Sequence, residues 1–120
     1  MIYEIELGVE TYFQANWVGE IQYSNTQKHP NTDTWIFLEV VPVFVDSHVG
    51  GCVTESHVIY VTVYDSNKVK SAKLADRVIQ FLRGVKIEGN TVGAWRPVAQ
   101  GEIYDGLHSR KLSFPVSVTH

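Results

Sequence analysis

The residues best suited to chemistry fall in one short stretch of the chain. Asp46, His48 and Cys52 lie within seven positions of one another, and His57 follows closely. Side chains of these types could bind a zinc ion or form a cysteine–histidine nucleophile pair. Cys52 is, however, the single cysteine of the chain, and the spacing matches no established ligand motif. We therefore interpret the stretch as the polar tip of a hairpin with an incidental thiol, and we expect no metal site.

Other catalytic motifs are also missing from the sequence. It contains no Gly-x-Ser-x-Gly nucleophile elbow and no glycine-rich phosphate-binding loop. Ser56 and His57 are adjacent in a predicted strand, so their side chains point to opposite faces and cannot form a catalytic pair. Glu6 and Glu10 are four residues apart in a predicted helix, which is typical of a solvated face and does not form a glycosidase cleft. The sequence predicts a protein that is not an enzyme and needs no cofactor.

The composition is that of one globular domain, which we place over residues 1–120. The chain is 44% hydrophobic and 19% charged, with a formal net charge of -3. It has no basic excess that would favour a nucleic acid or an anionic membrane as partner. Residues 1–17 contain no Lys or Arg, and the apolar stretch 35–45 is interrupted by Glu39 and Pro42. We therefore expect a soluble protein made in a cytoplasm, without a signal peptide or membrane partner.

Hydrophobic periodicity predicts two helices and a set of strands. The predicted order is a helix over 2–17, strands over 20–23, 33–45 and 56–64, a helix that ends at Gly84, and strands over 86–88, 92–104 and 110–119. Polar loops are predicted over 24–33 and 46–55, and turns at Asn90 and at Asp105-Gly106. Strand 33–45 is apolar on both faces, which favours a central strand covered on both sides. Pro42 favours a bulge or an edge beyond that point.

The predicted fold class is α+β, with a mainly antiparallel sheet and two helices packed on one face. Ser66 or Asn67 is expected to cap the second helix. The buried stripe of that helix is expected to comprise Ala72, Ala75, Val78, Ile79 and Leu82. We expect this stripe to pack on the strands that contain Phe37 and Val61.

Charged residues are segregated along the chain. Residues 1–27 contain four acids and no bases, whereas residues 66–86 contain six bases and one acid. The candidate interface residues are Glu4, Glu6, Glu10, Lys70, Lys73, Arg77 and Trp95. One interpretation of the basic face is a solvated helix surface; the other is a docking face for the acidic first helix of a neighbouring copy. Trp95, between Gly93 and Pro97, either anchors an interface or folds back onto the core.

Three stretches of the chain resemble the tail terminator proteins of long-tailed phages, also described as tail completion or minor tail proteins. These stretches are Trp35–Pro42, Val58–Tyr64 and Lys73–Leu82. Members of that family are small α+β proteins that begin with a helix, followed by a sheet of long strands and a second helix that crosses it. They form a hexameric ring that caps the growing tail tube, stops its polymerisation and then joins the tail to the filled head.

The resemblance implies a structural virion protein of the phage tail, assembled in the host cytoplasm. The implied partners are other copies of the chain in a homohexameric ring, the tail tube protein and a head–tail connector protein. DNA would pass through the lumen of the ring without specific recognition. Two alternatives stay open: another head–tail connector or stopper subunit, and a small-molecule-binding α+β domain in which the curvature of helices on a sheet encloses a pocket.

Overall fold

The computed structural model describes residues 2–23, 33–47, 53–104 and 106–119. The elements in chain order are α1 (Ile2–Asn16), β1 (Glu20–Tyr23), β2 (Thr34–Ser47), β3 (Val53–Asp65), α2 (Lys68–Leu82), β4 (Lys86–Ile87), β5 (Asn90–Thr91), β6 (Arg96–Tyr104) and β7 (Leu107–Thr119). Five strands form one sheet in the order β1-β2-β3-β7-β6, and β4 pairs with β5 in a small separate hairpin. The pairing of β1 with β2 is parallel and the other pairings are antiparallel. The predicted α+β class is confirmed.

Both helices pack on the same face of the sheet, as predicted. The register pairs Ile36 with Val63 and Leu38 with Val61, so these four buried side chains share one face. They belong to one apolar cluster together with buried residues of α1 and α2. Of the strands of the sheet, α1 contacts β2, whereas α2 lies on β3 and β7. The two helices therefore lie side by side over neighbouring strands.

The predicted first helix has one apolar face. Ile5, Val9, Phe13 and Trp17 recur at intervals of four and are buried, which is the spacing of one helical face. The helix ends before Gly19, whose φ of +136° is a conformation that other residues rarely adopt.

The face of β2 opposite the helices is not covered by another layer in the described structure, so the expectation that this strand is covered on both sides was wrong. Trp35 stacks on Tyr64 across the strand pair, with ring centroids 4.1 Å apart, and Phe37 is half-buried beside them. Within the described part of the chain, no helix packs on this face. Its aromatic residues make cross-strand pairs, which also favour aromatic and β-branched side chains. Periodicity alone does not distinguish this arrangement from a strand covered on both sides.

The N-terminus of α2 forms as predicted, but its buried stripe is rotated. The Asn67 side chain caps the helix by accepting hydrogen bonds from the backbone N–H groups of Val69 and Lys70, at 2.9 and 3.1 Å. The buried residues are Ser71, Leu74, Ala75, Val78 and Leu82. Ala72 and Ile79 are only half-buried, so their assignment to the centre of the stripe was wrong.

The rotation of α2 has two physical causes. The hydroxyl of Ser71, a residue that is 0% exposed, donates to the Lys68 carbonyl at 2.7 Å and accepts from Nε of Arg110 at 3.3 Å. A serine whose hydrogen bonds are made in this way can occupy a buried position. Phe81, on the flank towards α1, packs on Phe13 and Trp17 with ring centroids 4.8 and 5.1 Å apart. The second helix packs mainly on β3, the strand of Val61, as expected, and on β7, whereas the strand of Phe37 is contacted mainly by α1.

The long hairpin of β2 and β3 extends further than predicted. The strands run to Ser47 and from Val53, so both ends of the predicted loop 46–55 are paired strand. The register shifts between Pro42 and Phe44, which confirms the bulge. The predicted loop 24–33, apart from residue 33, and positions 48–52 at the hairpin tip lie outside the described residues.

The segment after α2 differs from the prediction in detail. Gly84, with φ +69°, follows the helix as expected. The turn predicted at Asn90 is formed by Glu88 and Gly89, whose φ values of +51° and +80° are typical of a type I′ hairpin turn. Residues 92–95 are not strand, so β6 starts four residues later than predicted. The last predicted hairpin is confirmed, since Tyr104 pairs with Leu107 across positions 105 and 106.

Candidate interaction surface

Arg77, one of the predicted interface residues, contacts its own α1. Its guanidinium lies over the Trp17 ring, 4.0 Å from the centroid, and donates a hydrogen bond to the backbone oxygen of Val18. The basic group therefore lies at the C-terminal end of α1, where the helix dipole attracts a cation. The remaining bases of the predicted face, Lys70 and Lys73, are exposed on α2.

The acids of α1 do not form one uniform face. Glu4 is exposed, whereas Glu6 and Glu10 are half-buried. Burial raises the pKa of the Tyr23 hydroxyl, a hydrogen bond with Gln14 lowers it, and the carboxylate of Glu10 raises it. Glu10 is thus on the flank of α1 that faces β1, the strand at one edge of the sheet. The described structure places this flank on the side of α1 away from α2.

Leu7 is an exposed apolar residue of α1 that was not among the candidate interface residues predicted from the sequence. Its side chain is 48% exposed, on the surface of the helix opposite the buried stripe. It lies beside an open groove lined by Thr11, Ala15 and Lys86. The signal for this position was present in the sequence, because Leu7 is an apolar residue outside the three-and-four spacing that defines the stripe. The outer surface of α1 therefore combines one exposed leucine with carboxylates.

Trp95 is an exposed residue whose backbone is fixed on both sides. Val92 is buried and its N–H donates to the Val85 carbonyl at 2.8 Å. The Gly93 N–H donates to the Pro115 carbonyl at 2.7 Å, and a Cβ at Gly93 would lie 2.8 Å from Cγ of Pro115. Only a glycine allows the chain to pass this close to β7 without a shift. The indole of Trp95 follows two residues later and is 43% exposed, so the expectation that it folds back onto the core is not met.

Trp95 and Ile79 form a ridge between two surface hollows. Both residues line a hollow of about 490 Å³ at the C-terminal end of α2 and a second of about 180 Å³ next to β6. The first is also lined by Arg83, and the second by Pro97 and Arg110. We call this region, made of Ile79, Arg83, Trp95, Pro97 and Arg110 with the two hollows, the Trp95 surface.

The charge around the Trp95 surface is mainly positive. Arg83 and Arg110 line its hollows, and Asp76 is the acid that lines the second hollow. Lys111 also lines the second hollow, but its ammonium lies over the Tyr60 ring, 4.6 Å from the centroid. The surface borders β6, which is the edge strand opposite β1 in the sheet. Four strand spacings of about 4.8 Å separate the two edges. The acidic flank of α1 and the Trp95 surface therefore lie towards opposite edges of the same subunit.

The β6 edge is poorly suited to extension by another strand. Pro97 lacks the N–H that a ladder needs, and the register with β7 shifts both between Pro97 and Ala99 and between Gln100 and Glu102. Val98, at the first of these shifts, is 51% exposed. A partner at this edge is therefore expected to contact side chains and not to add a strand to the sheet.

The stretch first considered for catalysis forms no site in the described structure. His57 is buried on the face of the sheet that carries the helices, and His48 and Cys52 lie outside the described residues. Among the residues that are described, no group of three His, Cys, Asp or Glu side chains is placed to hold a metal ion. Neither of the described helices combines the length and the apolar character that crossing a membrane requires.

The geometry defines a small α+β fold with an exposed tryptophan surface near one edge and an acidic helix near the other. A solved structure described as the virion of a native gene transfer agent particle contains a chain of the same fold, with a TM-score of 0.73 and 15% identity. The match covers 98% of this chain and 96% of that chain. A second solved structure, described only by a sequence identifier, matches with a TM-score of 0.52 and 12% identity over 96% of this chain and 89% of its own.

No known protein family matches the sequence, and no curated protein does. At these identities the two structural matches establish a common fold.

Proposed function

We propose that this protein is a structural, non-enzymatic subunit of a phage-like virion, and that it acts as the tail terminator. In this role, copies of the chain form a ring, most simply a hexamer, on the end of the tail tube. The ring stops tube polymerisation and then binds the head–tail connector. DNA passes through its lumen, and the net charge of -3 suits a channel that does not retain DNA.

One observation carries the proposal. The fold matches a chain of a gene transfer agent virion from end to end, with 98% of this chain and 96% of that chain covered. The resemblance of three sequence stretches to tail terminators independently points to the same kind of particle. Together these observations favour one position in a tail over a general role as an α+β domain.

The arrangement of surfaces supports a ring. A closed ring requires heterologous contacts, in which two different surfaces of each copy meet. The Trp95 surface and the outer surface of α1 differ in charge and lie towards opposite edges of the sheet. A subunit with such surfaces can bind one neighbour on each side. An exposed ion pair contributes only about 0 to 1 kcal/mol, so apolar contacts at Trp95 would supply most of the binding energy.

The experiment is tail tube assembly with and without the protein. Tubes are polymerised from the tube protein of the same particle, and their lengths are measured by electron microscopy. We expect the protein to bind one end of each tube and to stop further growth when more tube protein is added. A matched control uses the Val78→Asp variant, in which the fold is expected to be lost.

Continued growth of tubes that carry the folded wild-type protein would contradict the terminator role. Binding to connector rings but never to tubes would favour the alternative of a connector or stopper subunit. The hollows beside Trp95 offer a third outcome: saturable binding of a small molecule there, without any effect on tubes, would favour the small-molecule-binding alternative.

A further inference from the structure

The Trp95 surface is built to present one large side chain in a fixed position. Among the described side chains, the exposed large apolar residues are Leu7, Val18, Val69, Trp95 and Val98, and Trp95 is the one aromatic among them. Its backbone is held by the contact of Gly93 with Pro115. Ordering a surface before binding lowers the entropic cost of association. Tryptophan and arginine are also the residues that most often dominate binding energy.

The charge of the Trp95 surface favours an acidic partner. Arg83 and Arg110 line its two hollows, against the single acid Asp76. The outer surface of α1 has the complementary character, since Leu7 is exposed and the helix carries Glu4, Glu6 and Glu10. The groove at Leu7 is lined by one base, Lys86, and one further acid, Glu88. An exposed leucine on an acidic helix matches an exposed indole with arginines nearby in both apolarity and charge.

The contact cannot form within one subunit. α1 packs on β2, whereas the Trp95 surface borders β6 and β7, with α2 between them. A second copy is therefore the occupant. The alternative docking face, formed by Lys70, Lys73 and Arg77, is less suitable because Arg77 is engaged with Trp17 and Val18 of its own chain.

We propose that the Trp95 surface of one copy binds the outer surface of α1 of the next copy. Leu7 packs against the ridge of Trp95 and Ile79, and the carboxylates of α1 face Arg83 and Arg110. This inference rests on the ring of the proposed function and names the two surfaces that close it. It differs from the interface expected from the sequence, in which the basic face of α2 docks on the first helix of a neighbouring copy.

Two variants, each disabled at one surface, test the proposal. Trp95→Glu places an acid opposite the carboxylates of α1, and Leu7→Lys places a base opposite the arginines while removing the apolar contact. We expect each variant alone to be a folded monomer by light scattering and circular dichroism, whereas the wild type forms a ring. An equimolar mixture should form a one-to-one dimer and no larger species, because only one intact pair of surfaces remains.

Val69→Glu is the matched control, since Val69 is 63% exposed on α2 and does not line the two hollows. This variant should assemble as the wild type does. Ring formation by either Trp95→Glu or Leu7→Lys alone would overturn the proposal, as would a mixture of the two that stays monomeric. A wild type that never assembles would overturn the ring itself. Assembly that depends on Trp95 but leaves tube growth unchanged would contradict the terminator function and leave the docking intact.

Discussion

The guanidinium of Arg77 lies 4.0 Å from the centroid of the Trp17 ring and donates a hydrogen bond to the carbonyl of Val18. These contacts join the middle of α2 to the C-terminal end of α1. The carbonyls at a helix end lack partners within the helix and carry a partial negative charge, so a cation there is favourable. Arg77 therefore stabilises the packing of the two helices, and its role at an interface between copies stays a prediction.

Replacing Arg77 with alanine should lower the free energy of unfolding by about 1 to 2 kcal/mol, through loss of a cation–π contact and a hydrogen bond. Urea denaturation monitored by circular dichroism measures the change. Lys73→Ala is the control, because Lys73 is exposed on the same helix, and its effect should stay within about 0.5 kcal/mol. Equal effects of the two substitutions would show that the contact of Arg77 with α1 contributes nothing.

The rotated stripe of α2 predicts different outcomes at two adjacent positions. Val78 is 0% exposed, so Val78→Asp buries an unpaired charge and should unfold a domain of this size. Ile79 is half-buried and lines the two hollows, so Ile79→Asp should keep the fold and weaken self-association. Thermal melts and light scattering on both variants test this. Unfolding of both variants would mean that Ile79 belongs to the buried stripe, as periodicity predicted.

Gly93→Ala should displace the segment that holds Trp95. The added Cβ would lie 2.8 Å from Cγ of Pro115, and overpacking of this kind costs about 1 to 3 kcal/mol. Acrylamide quenching of tryptophan fluorescence reports the displacement, because Trp95 is 43% exposed whereas Trp17 and Trp35 are 8% and 5% exposed. Thr91→Ala, at an exposed position just upstream, should leave both stability and quenching unchanged. Wild-type values for Gly93→Ala would mean that β7 accommodates the methyl group freely.

The pKa of Tyr23 is raised above its ordinary value by burial and by the carboxylate of Glu10, although a hydrogen bond with Gln14 opposes this. The folded state therefore favours the neutral phenol. Its stabilising contribution is complete below the unfolded pKa of 10.0 and is lost as the pH rises through the higher folded pKa. Tyr23→Phe should lose less stability than the wild type between neutral pH and the alkaline range.

Glu10→Gln should bring the pKa of Tyr23 closer to 10.0, as measured by absorbance titration of the phenolate with Tyr23→Phe as the blank. An unchanged titration would mean that Glu10 does not face Tyr23.

The sequence predicted the features that depend on short-range chemistry. Asn67 as the cap of α2, Gly84 after it, and the bulge after Pro42 each follow from the backbone requirements of one residue type, and each is confirmed. The strand predicted over 56–64 also shows the expected alternation, because His57, Ile59, Val61 and Val63 are buried on one face.

Features that depend on neighbours in space were not predicted correctly. Periodicity identifies an apolar face of α2 to within about one residue, but the contact of Phe81 with α1 and the satisfied hydroxyl of Ser71 decide its rotation. The composition of the Trp95 surface likewise depends on residues that are distant in sequence. The residue type of Trp95 suggested an interface, whereas the arginines around it come from α2 and β7, which are distant in sequence. The pairing of Arg77 with Val18, 59 residues apart, is likewise set by the packing of the two helices.

The most direct test of the terminator role is a cryo-electron microscopy reconstruction of the end of a tail tube assembled with this protein. The proposal predicts a single closed ring, most simply of six copies, stacked on one end of the tube, with the Trp95 surface of each copy against α1 of the next. A tube end without the protein, or copies distributed along the length of the tube, would contradict the proposal.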